Sequence, residues 1–427
     1  MRVFGIAPTL HSRRAIRQAA PMSQSPLSHV RVLDLSRVLA GPWAGQLLGD
    51  YGADVIKVER PGAGDDTRSW GPPYVKDAAG QDTTDAAYFL CANRNKRSVT
   101  LDISKPKGQR IVRALAVRCD VVIENFKVGG LRAYGLDYPS LAVLRPGLIY
   151  CSITGFGQTG PYAPRAGYDF LIQGMGGLMS VTGRRDGEPG EGPQKVGVAL
   201  TDVLTGLYAT TAILAALAHR DRTGEGQHID LALLDVQVAC LANQTMNYLA
   251  SGTAPSRMGN AHPNVVPYQD FPTADGDMIL AVGNDGQFAR LCQAIGQPGW
   301  ATDLRYATNA ARVLNRATLI PSLSAVTRTR STAEWVAALE ASAVPCGPIN
   351  TLADVFADPQ IQAREMQRPM QRAGATVQLV SNPVRMSATP VTYRRAPPLL
   401  GADTEQVLRE LGMADDEIEA LAAEGVV

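Results

Sequence analysis

A stretch near the amino terminus decides the fold of this chain: Val30-Arg31-Val32-Leu33-Asp34-Leu35, then Gly41-Pro42-Trp43-Ala44-Gly45-Gln46-Leu47-Leu48-Gly49, then Val55-Ile56-Lys57-Val58. The first and third segments are short runs rich in branched side chains, typical of buried strands, and they flank a segment of helical composition. Pro42 suits the first turn of that helix, and Gly52 suits its end. The stretch therefore predicts a strand, a helix and a second strand.

The same alternation continues along the chain. Further strands are predicted at Val99 to Ile103, Val121 to Glu124 and Leu148 to Ile153, and a helix at Lys105 to Arg118, entered through Ser104. Strands that alternate with helices predict an α/β fold with a doubly wound parallel sheet. Such sheets bind ligands outside the carboxyl ends of their strands, so the functional loops should follow the strands.

Composition divides the chain into an extension and two domains. The first residues carry arginines without acids, which predicts either a flexible extension ahead of a second start at Met22 or an organelle transit segment. The predicted parts are the extension at 1–26, a large α/β domain at 27–225, a smaller α+β domain at 226–330, and a return to the large domain at 331–427 that includes Val344 to Asn350.

The region that follows the large domain has local signals of its own. Gln227 to Leu233 predicts a strand and Asp235 to Ala250 a helix. Residues 253–264 predict a long loop because Gly, Pro, Ser and Asn are frequent there. We expect these elements to open the small domain.

The bulk composition excludes several classes of function. The chain of 427 residues is long enough for two or more domains, and a formal net charge of +1 leaves no general electrostatic footprint for nucleic acid or an anionic membrane. The longest apolar stretch, Ala212 to Ala218, is shorter than the roughly 20 residues that span a bilayer. We therefore expect neither nucleic acid nor a membrane as a partner.

Cysteine and histidine usage bears on redox state and metals. The six cysteines are far apart with no C-x-x-C pair, and the five histidines are scattered. This favours reduced thiols in a cytosol-like compartment and argues against zinc or disulfides. We expect no catalytic metal and a cytoplasmic location, or the mitochondrial matrix if the first residues are a transit segment.

Common nucleotide and nucleophile motifs are missing from the sequence. The glycines at 41, 45 and 49 are spaced by four, whereas dinucleotide-binding enzymes carry G-x-G-x-x-G. The spacing by four favours a closely packed helix face. The sequence also has neither a G-x-x-x-x-G-K-[ST] phosphate loop nor a G-x-S-x-G nucleophile elbow. A nicotinamide enzyme is therefore disfavoured.

Two clusters of cations follow predicted strands, at Glu59 to Arg68 and at Asn93 to Arg97. Guanidinium groups and backbone N–H groups in such loops pair well with phosphates. Blocks of charge are also common in solvated, salt-bridged surface loops. The residues alone leave both interpretations open.

Asp202 stands directly before a long helical pattern. Its ordinary role there is that of a helix N-cap, which accepts hydrogen bonds from backbone N–H groups. The same place puts a carboxylate at the positive end of a helix dipole, in otherwise apolar sequence, which would keep a nucleophilic carboxylate ionised. The two roles are compatible.

Seven motifs keep a specific order and spacing along the chain. They are Val32-Leu33-Asp34-Leu35-Ser36-Arg37, Gly52-Ala53-Asp54-Val55-Ile56-Lys57-Val58-Glu59, Asn93-Arg94-Asn95-Lys96-Arg97-Ser98, Glu124-Asn125-Phe126, Gly155-Phe156-Gly157-Gln158-Thr159-Gly160-Pro161, Gly167-Tyr168-Asp169 and Thr201-Asp202. Together they resemble the class III coenzyme A transferase and α-methylacyl-CoA racemase superfamily, the CaiB/BaiF type, from about Pro26 to the C-terminus.

The resemblance implies that Asp202 is the catalytic nucleophile, which forms a mixed anhydride and then an aspartyl-CoA thioester. Coenzyme A thioesters would be substrates, with no permanently bound cofactor. The resemblance also implies an interlocked homodimer. The coenzyme A contacts that it carries over are Val38, Leu39, Arg60, Leu101, Asp102, Ile103, Ser104, Asn125, Phe126 and Lys127, with Arg132 near the place of a further family arginine.

Tyr168 and Asp169 should line the thioester side of the pocket by the same resemblance, and Arg257 to His262 stands where related transferases have a shielding glycine loop. The racemase branch resembles Gly-His-Asp where this chain has Gly167-Tyr168-Asp169. Racemisation needs an acid/base pair of suitable pKa on both faces of the carbon, for which tyrosine is a poor replacement for histidine. We therefore expect a transferase, with racemase as the alternative. A non-catalytic coenzyme A-binding protein is disfavoured because the aspartate and the Gly-Tyr-Asp triplet are intact.

Within the transferases the chain resembles the branch that uses succinyl-CoA, through Arg37 to Pro42, Gly64 to Arg68, Tyr150 to Gly155 and Val266 to Gln269. This implies a small dicarboxylic acid such as glutarate, hydroxymethylglutarate or itaconate as the acceptor. A second carboxylate needs a buried cation, ideally a bidentate arginine. Arg94 and Arg312 are the candidates by their positions in the resemblance.

Overall fold

The computed structural model of this protein describes residues 25–427. The predicted extension at 1–26 lies outside this part except for its last two residues. Of these, Ser25 lies against Gly52, where a Cβ would be 2.3 Å from Ser25 Cβ.

The described chain contains strands and helices along its whole length. The strands are β1 (Arg31–Asp34), β2 (Asp54–Glu59), β3 (Tyr74–Lys76), β4 (Asp82–Ala86), β5 (Lys96–Thr100), β6 (Val121–Glu124), β7 (Ile149–Thr154), β8 (Gln227–Ala232), β9 (Tyr268–Pro272), β10 (Asp277–Ala281), β11 (Cys346–Pro348), β12 (Gln367–Arg372) and β13 (Ala375–Val380). The helices are α1 (Ala40–Asp50), α2 (Ala87–Leu90), α3 (Pro106–Val117), α4 (Tyr138–Leu144), α5 (Asp169–Met175), α6 (Leu178–Val181), α7 (Leu200–Thr223), α8 (Leu233–Cys240), α9 (Asn243–Ser251), α10 (Asp285–Ala294), α11 (Asn309–Leu314), α12 (Arg316–Thr327), α13 (Thr332–Ala341), α14 (Leu352–Ala357), α15 (Pro359–Ala363), α16 (Thr404–Glu410) and α17 (Asp415–Ala423).

Six parallel strands form the main sheet in the order β5-β2-β1-β6-β7-β8. Successive side chains of β1 point into two different cores, because strand side chains alternate between the faces of a sheet. Leu33 packs in a core with residues of α3, α16 and α17. Val32 packs in the other core, with residues of α1 and α7. Helices therefore cover both faces, which confirms the predicted doubly wound α/β fold.

Strand β5 begins three residues earlier than predicted. Lys96 is fully buried and its ammonium lies 2.8 Å from Asp34 Oδ2, while Arg97 pairs with Asp54. Because these ion pairs satisfy the charges, charged residues form the first part of a buried strand where the sequence indicated a loop. The cluster Asn93–Arg97 thus lies at the amino end of β5, at the edge of the sheet opposite to the carboxyl ends.

The glycines of α1 form a closely packed helix face, as predicted. A Cβ on Gly41 would lie 2.2 Å from Ser36 Oγ, and one on Gly45 would lie 2.8 Å from Asp34 Oδ2. At Gly49 the nearest atom would be Asn95 Cβ at 3.0 Å. Helix α1 therefore lies directly against β1 and against the loop that follows it.

Helix α7 packs against α1 through a further glycine. A Cβ on Gly206 would lie 2.8 Å from the Ala40 carbonyl oxygen and 2.9 Å from Trp43 Cβ. The helix has 24 residues and is long and apolar enough to cross a membrane by length and composition. Core helices pass the same test, and eight residues of α7, among them Ala209 and Ile213, are buried within the protein.

The elements after α7 belong to the large domain, where the sequence had placed the start of the small one. Strand β8 pairs in parallel with β7, and α8 begins at the residue after it. The helix predicted at Asp235 to Ala250 is two helices, α8 and α9, because Ala242 between them has a positive φ of 47°. The predicted boundary at residue 226 is therefore wrong.

The small domain is built on an antiparallel sheet in the order β11-β10-β9. Its core gathers buried side chains from Val266 to Val344 around Trp335. Because β11 pairs with β10, Cys346 to Pro348 lies in the small domain, so the predicted end at residue 330 is wrong. The region of Val344 to Asn350 had been predicted to lie in the large domain.

The C-terminal part of the chain packs back on the large domain. Val407 and Leu421 join the core of the main sheet, and the Val426 carbonyl accepts a hydrogen bond from the Asp102 N–H. Arg372 of the β12–β13 hairpin pairs with Asp85. These contacts hold the C-terminal helices beside the loop after β5.

Candidate active site

The loops at the carboxyl edge of the main sheet enclose two adjoining cavities. The first, of about 430 Å³, is lined by Asp202 and is called the Asp202 pocket. The second, of about 450 Å³, is lined by Arg60 and by the loop after β5, and is called the outer pocket. Arg37 and Phe126 line both. The two cavities thus share part of their walls and lie side by side outside the strand ends, where parallel sheets bind ligands.

The predicted ligand residues divide between these cavities. Those that line the Asp202 pocket are Val38, Leu39, Asn125, Phe126, Lys127 and Tyr168. Those that line the outer pocket are Arg60, Leu101, Asp102, Ile103, Ser104 and again Phe126. Arg132 lines neither cavity but a neighbouring one of about 280 Å³, together with His228.

Asp202 lies in the first turn of α7. The helix begins at Leu200 after Ala199, so Asp202 is not the N-cap, contrary to prediction. Asp169 from α5 takes the capping role instead, since its Oδ1 accepts hydrogen bonds from the Thr201 N–H at 2.8 Å and the Asp202 N–H at 3.3 Å. The Asp202 side chain is therefore left free to face the pocket.

The electrostatics of Asp202 also differ from the prediction. Burial, with a smaller contribution from the negative charge of Asp169, raises the pKa of its carboxyl group to about 7. The carboxyl group is therefore partly protonated near neutral pH, although it lies at the N-terminus of a helix. A basic carboxylate in a partly apolar pocket, once ionised, is poorly hydrated and poised to attack an electrophile.

Two glutamines that the sequence did not single out hold Asp169 and α7 in place. The Gln173 amide, fully buried, donates to Asp169 Oδ2 at 2.7 Å. Gln237 of α8 accepts a hydrogen bond of 2.6 Å from Thr201 Oγ1. The spacing of Asp169 and Gln173 by four residues on one helix face is a signal that could have indicated this pair.

Tyr88 is another residue that sequence reasoning missed. Burial raises the pKa of its phenol to about 12, and the negative charges of Asp202 and Asp169 contribute to the shift. Its ring meets Trp70 edge to face at 5.3 Å. The phenol of Tyr88 therefore stays neutral at neutral pH.

The loop after β1 is held in a strained conformation. Val38 has a φ of 70°, which a β-branched residue rarely adopts. Its N–H donates to the Asp65 carboxylate, which also pairs with the buried Lys57 ammonium at 2.8 Å. Burial alone would raise the pKa of Asp65, but Lys57 and the Thr67 hydrogen bonds lower it to about 2. The Asp65 carboxylate thus stays charged and holds Val38 in its place in the wall of the Asp202 pocket.

Asn125 joins the loops after β1 and β6. Its side-chain oxygen accepts from the Arg37 N–H at 2.9 Å, and its amide donates to the Arg37 carbonyl at 2.8 Å. The Arg37 guanidinium lies 5.8 Å from the centre of the Phe126 ring. The amide of Asn125 is therefore engaged by the protein, while Lys127 two residues later is exposed.

The outer pocket combines an exposed cation with a structured turn. Asp102 Oδ1 accepts from the Ser104 N–H and hydroxyl at 3.0 and 2.6 Å, which orders the turn before α3. Arg60 is exposed at the mouth of the pocket. Arg68 is buried between Glu59 and Asp85, so most of the first cationic cluster is an internal ion-pair network.

Arg94 does not face the site. Its guanidinium is 5% exposed, binds both oxygens of Asp50 at 2.8 and 2.5 Å, and donates to the Val380 carbonyl. Asp50 ends α1 at the amino edge of the sheet, so this pair lies at the far end of α1 from the Asp202 pocket. The prediction that Arg94 binds a substrate carboxylate is wrong because Asp50 occupies its donors.

Arg312 does not face the site either. It is fully buried in the small domain, where it donates to the Val266 and Tyr306 carbonyls and pairs with Asp285. Its guanidinium also lies 4.4 Å from the centre of the Phe288 ring. The prediction for Arg312 is wrong because all of its donors serve the core of that domain.

The loop at Arg257 to His262 lines neither cavity. Arg257 pairs with Asp186, and the Gly259 N–H donates to the Gly183 carbonyl at 3.1 Å. Arg316 of the small domain donates to the His262 carbonyl. These bonds tie the loop to both domains, and its shielding role stays a prediction.

Metal ligation and thiol chemistry have little support in the described part of the chain. Within residues 25–427, no group of three or more His, Cys, Asp or Glu side chains lies close enough to hold a metal ion. All six cysteines fall in this part, and each is a free thiol. The chemistry that these residues themselves offer is that of the Asp202 carboxylate.

Comparisons with other proteins give consistent results. The model of CoA-transferase family III matches residues 27–404. A succinate–glutarate CoA-transferase of Agrobacterium fabrum is 56% identical over 392 residues, which cover 92% of this chain and 97% of that protein. A succinyl-CoA:glutarate CoA-transferase of Homo sapiens is 46% identical over 406 residues, which cover 94% and 90%. A crystal structure of a CaiB/BaiF family protein from Brucella suis matches with a TM-score of 0.80 and 52% identity, over 91% of this chain and 100% of that one.

Proposed function

The chain belongs to CoA-transferase family III, and on that premise we propose that it moves coenzyme A from succinyl-CoA to a small dicarboxylic acid such as glutarate, with Asp202 as the nucleophile. The observation that carries the proposal is the free Asp202 carboxyl group, which lines a pocket at the carboxyl edge of the sheet. Relatives at 56% and 46% identity carry names that specify succinate or succinyl-CoA and glutarate.

The reaction has two halves, and the Asp202 side chain takes part in two steps of each. Its carboxylate attacks the thioester carbonyl of succinyl-CoA, the C–S bond breaks, and coenzyme A leaves as a thiolate from an aspartyl–succinyl anhydride. The thiolate then attacks the aspartyl carbonyl of that anhydride and releases succinate. The product is an aspartyl-CoA thioester, which conserves the free energy of the original thioester bond.

The second half repeats these steps in reverse. A glutarate carboxylate attacks the aspartyl-CoA carbonyl and releases the thiolate, which gives an aspartyl–glutaryl anhydride. The thiolate attacks the glutaryl carbonyl, so glutaryl-CoA forms and the Asp202 carboxylate is regenerated. All bonds and charges balance without ATP, a metal or an oxidant.

Several features of the site support these steps. The positive end of the α7 dipole favours the negative charge of Asp202 when it attacks. Asp169 and Gln173 fix the first turn of that helix, which holds the carboxyl group in one place. Partial burial limits the access of water to the anhydride and the thioester, which are both sensitive to hydrolysis.

The outer pocket suits the coenzyme A moiety of the substrate. Arg60 offers a guanidinium group for phosphates beside the ordered turn at 101–104, which lines the same cavity. Phe126 and Arg37 stand where the two pockets join, so the chain of the thioester would pass between them to reach Asp202. The racemase alternative is not favoured, because Tyr168 stands where an acid/base histidine is needed.

We further propose that the protein works as a homodimer. Large apolar side chains of α5, α7 and α9 are exposed in the single chain, beyond what an isolated monomer usually shows. They include Phe170, Leu171, Met175, Leu207, Tyr208, Leu214, Met246, Tyr248 and Leu249. The free thiols support a reducing compartment such as the cytoplasm.

The test is acyl exchange with purified protein. Succinyl-CoA is incubated with glutarate and a panel of other acids, and new acyl-CoA products are identified by mass spectrometry. We expect glutaryl-CoA from the native protein and a loss of about 10³-fold or more in Asp202→Asn, as for other covalent nucleophiles. No exchange with any acid, combined with epimerisation of a 2-methylacyl-CoA, would establish the racemase instead.

A further inference from the structure

A dicarboxylic substrate brings a second carboxylate into the Asp202 pocket, and that group needs a cation. Three cationic side chains line the pocket: Arg37, Lys127 and Arg165. Because Arg94 and Arg312 are engaged elsewhere, the choice within the described chain is among these three. They differ in their partners and in which cavities they face.

Two of the three are placed for the coenzyme A part of the substrate. Arg37 lines both cavities and pairs with Asp66 at 3.1 Å. Lys127 is exposed on the loop after β6 and also lines the neighbouring cavity that contains Arg132. Each of them therefore also faces a second cavity besides the Asp202 pocket, where the acyl group would react.

Arg165 lines the Asp202 pocket and none of the other cavities described above. It is exposed in the single chain, so it is a solvent-facing cation of the pocket wall and not the buried one expected from the sequence. Its guanidinium lies 4.6 Å from the centre of the Tyr162 ring and 5.1 Å from that of Phe156. Within residues 25–427 no carboxylate forms an ion pair with it, and its side-chain hydrogen bond goes to the Met175 sulfur at 3.9 Å. A guanidinium held against aromatic faces keeps its N–H edge for a planar anion.

The backbone fixes Arg165 relative to Asp202. Its N–H donates to the Tyr162 carbonyl at 2.9 Å in a tight turn. Two residues later Gly167 lies against Gly155 at the end of β7, so closely that a Cβ on Gly155 would be 2.5 Å from the Gly167 Cα. The segment then reaches Asp169, which binds the N–H groups of the α7 first turn. Arg165 and Asp202 therefore line the same pocket, and the segment between Arg165 and Asp169 joins them through packing on β7 and the cap of α7.

We propose that Arg165 binds the carboxylate of the dicarboxylic substrate that does not react, and thereby selects dicarboxylic over monocarboxylic acids. This inference rests on the proposed function, since it assigns the substrate class of the same site. Arg165 would pair bidentately with the distal carboxylate while Asp202 exchanges acyl groups with the other. Succinate and glutarate would share this contact because both carry a distal carboxylate.

The experiment compares two acids of five carbons, glutarate with two carboxylates and pentanoate with one. KM for each is measured with succinyl-CoA as donor, for the native protein, Arg165→Gln and Arg165→Lys. We expect Arg165→Gln to raise KM for glutarate about 10- to 100-fold, as expected for lost charge-assisted hydrogen bonds, with KM for pentanoate unchanged. Arg165→Lys should recover part of the loss, because it keeps the charge without the fork.

Arg110→Gln is the matched control, since Arg110 is exposed on α3 and lines neither cavity. It should leave both KM values unchanged. An equal rise in KM for glutarate and pentanoate with Arg165→Gln, or a rise only in KM for the coenzyme A thioester, would overturn the assignment of Arg165.

Calorimetric binding of glutarate and pentanoate, without any donor, separates this inference from the proposed function. If the native protein binds glutarate more tightly than pentanoate and Arg165→Gln removes the difference, the role of Arg165 stands even where succinyl-CoA proves to be the wrong donor. If the native protein binds the two acids equally, Arg165 does not select dicarboxylates.

Discussion

The reactivity of Asp202 depends on its surroundings more than on its place in the sequence. Burial and the neighbouring Asp169 charge both disfavour the ionised form, and they raise the pKa of the carboxyl group to about 7. The attacking form is the carboxylate. The reactivity of the free enzyme therefore follows the ionisation of a single residue near neutral pH.

The pH dependence of kcat/KM tests this directly. We expect kcat/KM to rise with pH through about 7, because protonated Asp202 cannot attack the thioester. Asp169→Asn should shift this rise to lower pH, since it removes the like charge and keeps an oxygen that accepts from Thr201. Gln173→Glu, which brings a further charge close to Asp169, should not produce that acid shift. A profile of Asp169→Asn that coincides with the native one would show that the second carboxylate has no such influence.

Stability should also depend on Asp202. The folded-state pKa lies above the ordinary value of 3.8, so the folded protein binds more protons than the unfolded chain between about pH 4 and 7. Stability is therefore lost as pH rises through that window. We expect Asp202→Asn to be more stable than the native protein by about 1–2 kcal/mol at pH 8 and by less at pH 5. The difference at pH 8 is small because the Asp202 side chain is partly exposed to solvent. Thermal unfolding at both pH values measures this, and an advantage that is larger at pH 5 would contradict it.

Residue-level prediction succeeded where a motif carries the chemistry and failed where a contact depends on distant packing. Asp202 and the loop residues around it were recognisable in the sequence. The partners of Arg94 and Arg312 were not, because Asp50 and Asp285 are separated from them along the chain. Tyr88 was missed for the same reason, whereas the pairing of Gln173 with Asp169 four residues earlier was within reach of a local pattern.

At the scale of secondary structure elements, the site depends on how closely α7 approaches α1. Gly206 allows this approach, since a Cβ there would meet the Ala40 carbonyl at 2.8 Å. Asp202 lies one turn earlier on α7, beside the start of α1. The position of the nucleophile is thus coupled to a glycine contact between two helices.

Gly206→Ala should push α7 away from α1. We expect a loss of stability of about 1–3 kcal/mol from overpacking and a fall in kcat, because the carboxyl group of Asp202 moves with its helix. Gly286→Ala is the control, since Gly286 lies in α10 and a Cβ there meets no atom closer than 3.4 Å. Thermal unfolding and steady-state kinetics measure both effects. Equal behaviour of the two variants would mean that the α1–α7 contact does not position Asp202.

The order of strands and helices in the first half of the chain was predictable, because buried parallel strands and glycine-spaced helices leave local signals. Strand β5 was misplaced because its first residues are charged and satisfied by buried ion pairs. The break between α8 and α9 at Ala242 leaves no composition signal, because alanine favours helices. Such features depend on tertiary contacts that local patterns do not contain.

At the scale of the whole molecule, two domains and an exposed apolar surface define the architecture. The small domain could not be bounded from the sequence, because β11 joins its sheet from residues far along the chain. The exposed side chains of α9, such as Met246 and Leu249, are 60% and 66% exposed in the single chain. A homodimer would cover them.

A charge on that surface should prevent dimer formation. We expect Leu249→Asp to elute as a monomer or to aggregate, because a carboxylate is costly to bury in an apolar interface. Val143→Asp is the control, since Val143 is 81% exposed on α4, which is not one of the three helices that carry the apolar surface. Size-exclusion chromatography with light scattering measures the mass. A Leu249→Asp variant with the same mass as the native protein would show that α9 is not in the interface.

We expect Asp202 itself to carry coenzyme A during turnover. The most direct measurement is to incubate the protein with succinyl-CoA and no acceptor, reduce the mixture with borohydride, and map the peptides by mass spectrometry. A thioester-linked Asp202 is converted to homoserine by this treatment, and we predict that change in the native protein after exposure to succinyl-CoA. Full turnover of succinyl-CoA and glutarate with Asp202 unmodified, or with another residue modified in its place, would contradict the account.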